Sequence, residues 1–144
     1  MMFFKFTING KPKGQDRPRF STAGGNVRAY DTDESRNHKT YIKLLATTAM
    51  RAQGWRFAET EAIGINIYVY AGIPKKANKE FKHRVRLGLE RPTKKPDIDN
   101  IFKAIADALN GVAYADDKQI VHMRADKYYA DEPRTEVEVF YIDA

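Results

Sequence analysis

Apolar and polar residues alternate from Phe3 to Asn9, with Phe4, Phe6 and Ile8 on one face, which predicts a strand closed by Asn9-Gly10. Arg19-Phe20 and Val27-Arg28-Ala29-Tyr30 flank Ala23-Gly24-Gly25-Asn26 and predict a small hairpin or flap, whose arginines can grip phosphates and whose Phe20 or Tyr30 can stack on a base, although packing of both rings on the core is the expectation. Asp31-Thr32-Asp33-Glu34 is a helix start. The stripe Tyr41, Leu44, Leu45, Thr48 and Ala49 carries that helix to about Gln53, where Gly54 stops it. Ala62 to Ile73 predicts a strand with Ile63, Ile65, Ile67 and Val69 on one side. Tyr68 and Tyr70 on the other side suggest a central strand covered on both faces. Ala77 to Leu89 predicts a short basic helix with Phe81, Val85 and Leu89 at i,i+4 spacing.

A central helix follows Lys94-Lys95-Pro96-Asp97-Ile98-Asp99-Asn100. Asp99 or Asn100 is the expected N-cap, Ile101, Phe102, Ile105, Ala108 and Leu109 recur at helical spacing, and Asn110-Gly111 ends it. Gln119–Tyr129 and Thr135–Ile142 read as two strands, joined by the turn Asp131-Glu132-Pro133-Arg134 and expected to pair as a hairpin. The order of elements predicts one α/β (α+β) domain spanning 1–144, a mixed β-sheet with helices packed against it.

Charge changes this picture. The chain of 144 residues carries +6, and the charge is clustered. Ile73–Lys95 holds a net +7 and Lys11–Arg28 a net +4, leaving the remainder at −5. Two basic segments on an otherwise acidic chain are the footprint of a polyanion, most often nucleic acid. With no cysteine, disulfides, zinc–thiolate sites and thiol nucleophiles are excluded. No apolar run approaches membrane length, and Met1–Lys5 is too short for a signal peptide, so the expected location is cytoplasmic. His38 reads as a surface residue, and His122 as an ordinary strand residue rather than a metal ligand.

The longer basic run leads directly into acids. Asp97 and Asp99, two apart in an extended segment, are expected to point the same way. A third carboxylate, from Asp116 or Asp117, returns after one helix and a turn. Carboxylates held together resist ionisation unless a cation joins them, and the natural guest is a hard divalent ion, Mg²⁺ or Mn²⁺. Lys103 lies one helical turn beyond Asp99 on the same face. Each feature alone also reads blandly: caps, an Asp99–Lys103–Asp107 ion-pair stripe, a turn. Three functions remain open on these residues: a metal-dependent DNA endonuclease, another Asp-x-Asp metal enzyme acting on nucleotides, and a non-catalytic nucleic-acid-binding protein. No glycine-rich phosphate loop supports the second, and the third leaves the acids unexplained.

The residues Lys95-Pro96-Asp97-Ile98-Asp99-Asn100-Ile101-Phe102-Lys103-Ala104, Asp107-Ala108-Leu109 and Asp116-Asp117-Lys118-Gln119-Ile120-Val121 resemble the signature of the RusA family of Holliday junction resolvases, endonucleases often carried by phages and prophages. Lys11-Pro12-Lys13-Gly14 and Arg17-Pro18-Arg19-Phe20 resemble, more loosely, the family's N-terminal basic segment. The resemblance implies a small mixed-sheet fold acting as a homodimer on four-way DNA junctions with Mg²⁺. It carries catalytic roles onto Asp97, Asp99, Lys103 and Asp117, with Asp97, Asp99 and Asp117 as metal ligands, and it selects Asp117 over Asp116, which is expected to point away from its neighbour. Arg17, Arg19, Lys94 and Lys95 are the candidate DNA-binding residues.

Overall fold

The computed structural model describes residues 2–16, 19–30 and 32–143. Strand β1, Phe3–Asn9, buries Phe4, Phe6 and Ile8 as its alternation predicts. β2, Arg19–Ser21, and β3, Arg28–Tyr30, form the expected hairpin. That hairpin is a two-stranded sheet of its own. Among the described residues no other strand pairs with it, and its aromatic side chains stand largely in solvent. Phe20 is 71% and Tyr30 45% exposed, against the expectation that they join the core.

Helix α1, Asp33–Gln53, starts at the Thr32 cap, whose Oγ1 accepts from Ser35 N, and stops at Gly54. Its buried face differs from the expected stripe. Ser35, Ile42 and Ala46 are buried, with Leu45, Ala49 and Met50 packed beside them, whereas Leu44 is 64% exposed and Tyr41 also stands out to solvent. The helix packs against both β1 and a second helix, and a close approach on two sides favours the face carrying the small Ala46 and Ala49. Gln53 pins its end to β1 by accepting from Lys5 N at 2.9 Å and donating to Lys5 O at 2.7 Å.

β4, Ile63–Gly72, buries Ile63, Ile65, Ile67 and Val69. The short basic helix α2, Lys79–Arg86, is capped by Asn78, which accepts from Phe81 N at 2.8 Å. It ends before Leu89, which is left exposed. α3 spans Ile98–Leu109, and β5, Ile120–Ala130, and β6, Arg134–Tyr141, close the chain. Four strands form a mixed sheet in the order β1-β6-β4-β5. β4 runs parallel to β5 and antiparallel to β6, and β6 is antiparallel to β1. The expected β5–β6 hairpin is therefore absent: the 131–133 turn carries the chain past the end of β4, and β6 pairs on its far side. A hairpin would have left β4 an edge strand although its side chains are the most deeply buried of the sheet, and unpaired backbone polar groups are costly there. No helix among the described residues is long and apolar enough to cross a membrane.

Gly64 is required by packing. A Cβ built on it would stand 2.4 Å from the ring of Phe140, its register partner on β6. Gly64→Ala must displace that ring from between β4 and Ile142, and overpacking of this kind costs about 1–3 kcal/mol. Urea unfolding should show a lower midpoint at unchanged slope. An unchanged midpoint would mean that the ring swings away freely.

Candidate active site

The apolar face of α3 determines which residues the helix presents. Ile101, Ala104, Ile105, Ala108 and Leu109 are buried in the core, so Asp99, Lys103 and Asp107, four apart, share the outer side. Asp99 and Lys103 are exposed and Asp107 half-buried. The N-cap is Asp97, neither Asp99 nor Asn100. The extended segment expected for both acids therefore holds only for Asp97. Asp99 is already in the first helical turn, where negative charge is favoured by the helix dipole. Asp97 caps by backbone position only, and its carboxylate makes no cap hydrogen bond. Asp99 Oδ1 accepts from Asn100 N at 3.0 Å. The bland reading of Asp99, Lys103 and Asp107 as an ion-pair stripe has no support, since no ion pair joins them among the described residues.

Both basic segments meet at this helix start. Lys94 and Lys95 are exposed just before a cis Lys95–Pro96 peptide. The Lys127 ammonium, from β5, donates to Lys94 O at 2.7 Å and Pro96 O at 3.0 Å, holding that turn against the sheet. From the other side, Gln15 N donates to Asn100 O at 3.2 Å. Gly14 lies so close to α3 that a Cβ on it would be 3.1 Å from Asn100 Cβ and 3.3 Å from Pro96 Cβ. The same segment is tied to α1 by a Lys13–Glu34 ion pair at 2.9 Å and by Asp16, whose N donates to Ser35 Oγ and whose Oδ2 accepts from Thr32 Oγ1. Arg17 lies outside the described residues, as does the side chain of Arg19, whose backbone begins β2. His38, expected on the surface, is half-buried beneath this segment. Burial and the nearby Lys13 ammonium hold its pKa below the ordinary histidine value, against an opposing pull from Glu34.

The second acidic group sits beside the later turns of α3. Asp116 caps a short 3-10 turn at Asp117–Gln119, its Oδ1 accepting from Lys118 N at 3.0 Å. The buried Gln119 returns a bond, its Oε1 accepting from Asp116 N at 2.9 Å. Its Nε2 donates to Ala58 O and Glu61 O, fastening the turn to the chain entering β4. Asp116 does not point away from its neighbour. The two carboxyls act on each other's proton, and the pair divides its titration. The Lys118 N–H, followed by the bond from Asp117, holds Asp116 below the usual carboxylate range. The bond to Asp116, burial, and the charges of Asp116 and Asp107 push Asp117 up, partly offset by Lys103. Beneath them Tyr114 is wholly buried and donates to Ala106 O at 2.7 Å, its hydroxyl pushed well up by burial and then by Asp117, Asp107 and Asp116. After Asp116, the charges that act on Asp117 are those of Asp107 and Lys103, one to two turns along the helix from Asp99.

Among the described residues no group of three His, Cys, Asp or Glu side chains stands close enough to hold a metal ion. The donor chemistry nonetheless fits a hard divalent cation. All the candidate ligands are carboxylate oxygens, Asp97 has an uncommitted carboxylate, and Gln15 Oε1 is buried without a hydrogen-bond partner on the segment docked against Asn100. Mg²⁺ needs only one or two protein carboxylates, filling its remaining positions with water and substrate phosphate.

Lys127, Gln119, Gln15 and Tyr114 are site residues that the pattern did not single out. Lys127 had a usable signal: it falls in β5 register between Ala125 and Tyr129, on the face directed toward the helices, where a lysine needs a specific acceptor.

The RusA endodeoxyribonuclease family profile matches residues 9–140. An uncharacterized Bacillus subtilis (strain 168) protein, YqaN, is 37% identical over 142 residues, covering 97% of each chain. A crossover junction endodeoxyribonuclease rusA of Lactococcus phage r1t is 24% identical over 138 residues, covering 94% of this chain and 95% of the phage protein.

The divided Asp116/Asp117 pair has a measurable consequence. Carboxyl NMR titration should show Asp117 losing its proton above the usual carboxylate range. In Asp116→Asn, which keeps an oxygen for the Lys118 N–H, the Asp117 titration should fall toward that range because the neighbouring negative charge is gone. An Asp117 titration that does not move would break the proposed sharing.

Proposed function

Because the chain belongs to the RusA endodeoxyribonuclease family, we propose that it is an Mg²⁺-dependent, structure-selective endonuclease that resolves Holliday junctions by paired symmetric nicks, in DNA recombination and repair. Members of the family are nucleases that act on phosphodiester bonds, and this chain is one of them. The observation that supports the finer reading best is the meeting of both basic segments at the start of α3, where Asp97 and Asp99 stand. An acidic cluster alone repels DNA. One ringed by lysines receives a phosphate backbone and can hold a cation against it.

In this reading Asp97, Asp99 and Asp117 hold Mg²⁺, or Mn²⁺ in its place. The ion, when bound, polarises the scissile phosphate and lowers the pKa of water. Lys103 neutralises charge developing on the phosphate or protonates the leaving oxygen. Asp116 keeps Asp117 in place by capping the turn. Lys94, Lys95, Arg17 and Arg19 bind the DNA backbone and position it without reading sequence. The chain works as one domain, on cytoplasmic DNA. Neither alternative fits as well: a non-catalytic DNA-binding protein gains nothing from the acids on α3, and an enzyme acting on free nucleotides gains nothing from two converging basic segments.

Cleavage of a synthetic four-way junction, with duplex and single-strand controls, tests this directly. Asp97→Asn, Asp99→Asn and Asp117→Asn should each abolish Mg²⁺-dependent nicking while junction binding is retained. Lys103→Ala should slow single-turnover cleavage on the order of a hundredfold at little change in binding. Normal nicking by all three Asn variants sinks the metal assignment, and a Lys103→Ala rate within a few-fold of wild type sinks the role of the lysine.

Resolution also requires two cuts related by the two-fold axis of the junction, and each chain offers one cluster. A homodimer with the same symmetry supplies both. Light scattering at micromolar concentration should give twice the 16.5 kDa chain mass. A monomer mass with paired nicking intact would exclude this assembly.

A further inference from the structure

Next to the start of α3 the sheet carries a trough of about 390 Å³ that the proposed chemistry leaves unused. It lies where the helix-covered face of the sheet runs out beyond the first turn of α3. Val69 and Ala71 of β4 and Tyr129 of β5, the register partner of Ala71, form its floor. Rings of Pro12, Pro92, Pro96 and Pro133 wall it. The rim carries Lys11, Lys75, Lys94 and Lys95, all exposed, and no acidic residue lines it. Lys127 also reaches it, but its ammonium is spent on Lys94 O and Pro96 O. Pro96 is shared between trough and site, since the next residue is Asp97.

This combination specifies an occupant. A phosphate alone needs the lysines but not an apolar floor, and an apolar peptide needs the floor but not four exposed ammonium groups. A nucleotide turned out of its helix needs both: a flat apolar surface with an aromatic ring for the base, and cations for the phosphates on either side. The volume lies within the range of about 300–1,000 Å³ usual for small-ligand sites. A base that is unpaired or unstacked is the least costly to turn out, and in an opened junction the stack is interrupted at the branch point. Resting on the endonuclease reading above, we infer that the trough takes one unstacked nucleotide of the branch point, with its base on Tyr129 and the prolines and its phosphates on the lysine rim. The trough then fixes which phosphodiester reaches Asp97, and it selects branched over linear DNA.

The experiment fills the trough without touching the charges. Ala71→Leu projects into it from the floor. Ala71→Val adds less bulk at the same position and suits a strand backbone, so it serves if the first variant folds poorly. Junction and duplex affinities are measured without divalent metal, on DNA that is intact or carries an abasic nucleotide at each branch position in turn. Either filled variant should weaken binding to the intact junction about tenfold and leave duplex binding unchanged. At one branch position the abasic nucleotide should weaken wild type similarly, and it should weaken the filled variant no further. Wild-type affinity in both filled variants, as expected if a protein segment is the true occupant, overturns the trough. So does a penalty that adds to the abasic one. In either case, wild-type nicking of junctions leaves the endonuclease reading standing, whereas a wild-type chain that neither binds nor nicks junctions overturns both.

Discussion

The whole site depends on the burial of one face of α3. Ile101, Ile105 and Leu109 are almost completely removed from water against Ile63, Ile65, Ile67 and Val69 of the sheet and the buried face of α1. Each such side chain contributes about 1.5–3 kcal/mol, enough to fix the rotation of a three-turn helix about its axis. Once that rotation is set, Asp99, Lys103 and Asp107 have no choice but to face outward along one line, and Asp97 must stand at the exposed N-terminus. The geometry of the candidate site is thus imposed by apolar residues buried beneath it. The turn at Asp117–Gln119 is held by the same logic, through a buried glutamine amide that satisfies two backbone carbonyls at once.

Electrostatics then works against the fold and for the chemistry. Asp107, Asp116 and Asp117 surround the buried Tyr114 hydroxyl, and Asp117 is driven toward its protonated form. Such crowding costs stability and is retained in places where a cation or a proton is to be exchanged. Among the described residues Lys103 is the positive group that lowers the Asp117 pKa, and no ion pair joins it to the acids on its own helix. A lysine kept near, but not bound to, carboxylates remains available to a phosphate. Around this centre the lysines of two distant segments are brought together by neutral contacts: a backbone bond from Gln15 to Asn100, the absence of a side chain at Gly14, and the Lys127 ammonium on two carbonyls. Like charges are concentrated by interactions in which those charges take no part.

Much of this was legible in the chain because periodicity reports burial. β1, β4 and α3 lie where their spacing puts them, and Asp97, Asp99 and Lys103 are marked by their position at the start of α3, whereas only the family resemblance selects Asp117 over Asp116. What could not be read was set by long-range pairing. The alternation of β5 and β6 predicts two strands, but not that β4 lies between them. The face of α1 was misassigned because Ile42 and Ala46 are spaced as well as Leu44 and Thr48, and only contact with β1 and α3 decides between them. Asp97 as N-cap was missed by two residues, since Asp97, Asp99 and Asn100 are all good caps. Phe20 and Tyr30 are apolar enough for the core and aromatic enough to stack on a base, and only the isolation of their hairpin among the described residues leaves them exposed.

That exposure bears on how a protein of this size handles a branched polyanion. Aromatic residues on an isolated two-stranded flap gain nothing for the fold, and the backbones of Arg19 and Arg28 flank them on the same flap. The trough lies on the sheet beside the 94–96 turn, and the flap follows in sequence the segment docked on Asn100. A rigid floor on one side and a projecting arm on the other suit a substrate whose helices diverge, because a linear duplex cannot satisfy both while its bases stay stacked. Selectivity for branched DNA then follows from shape and from the cost of unstacking, with the lysines supplying affinity that is the same for any sequence. On this account the basic segments bring DNA of any form to the surface, and only DNA that can open reaches the carboxylates.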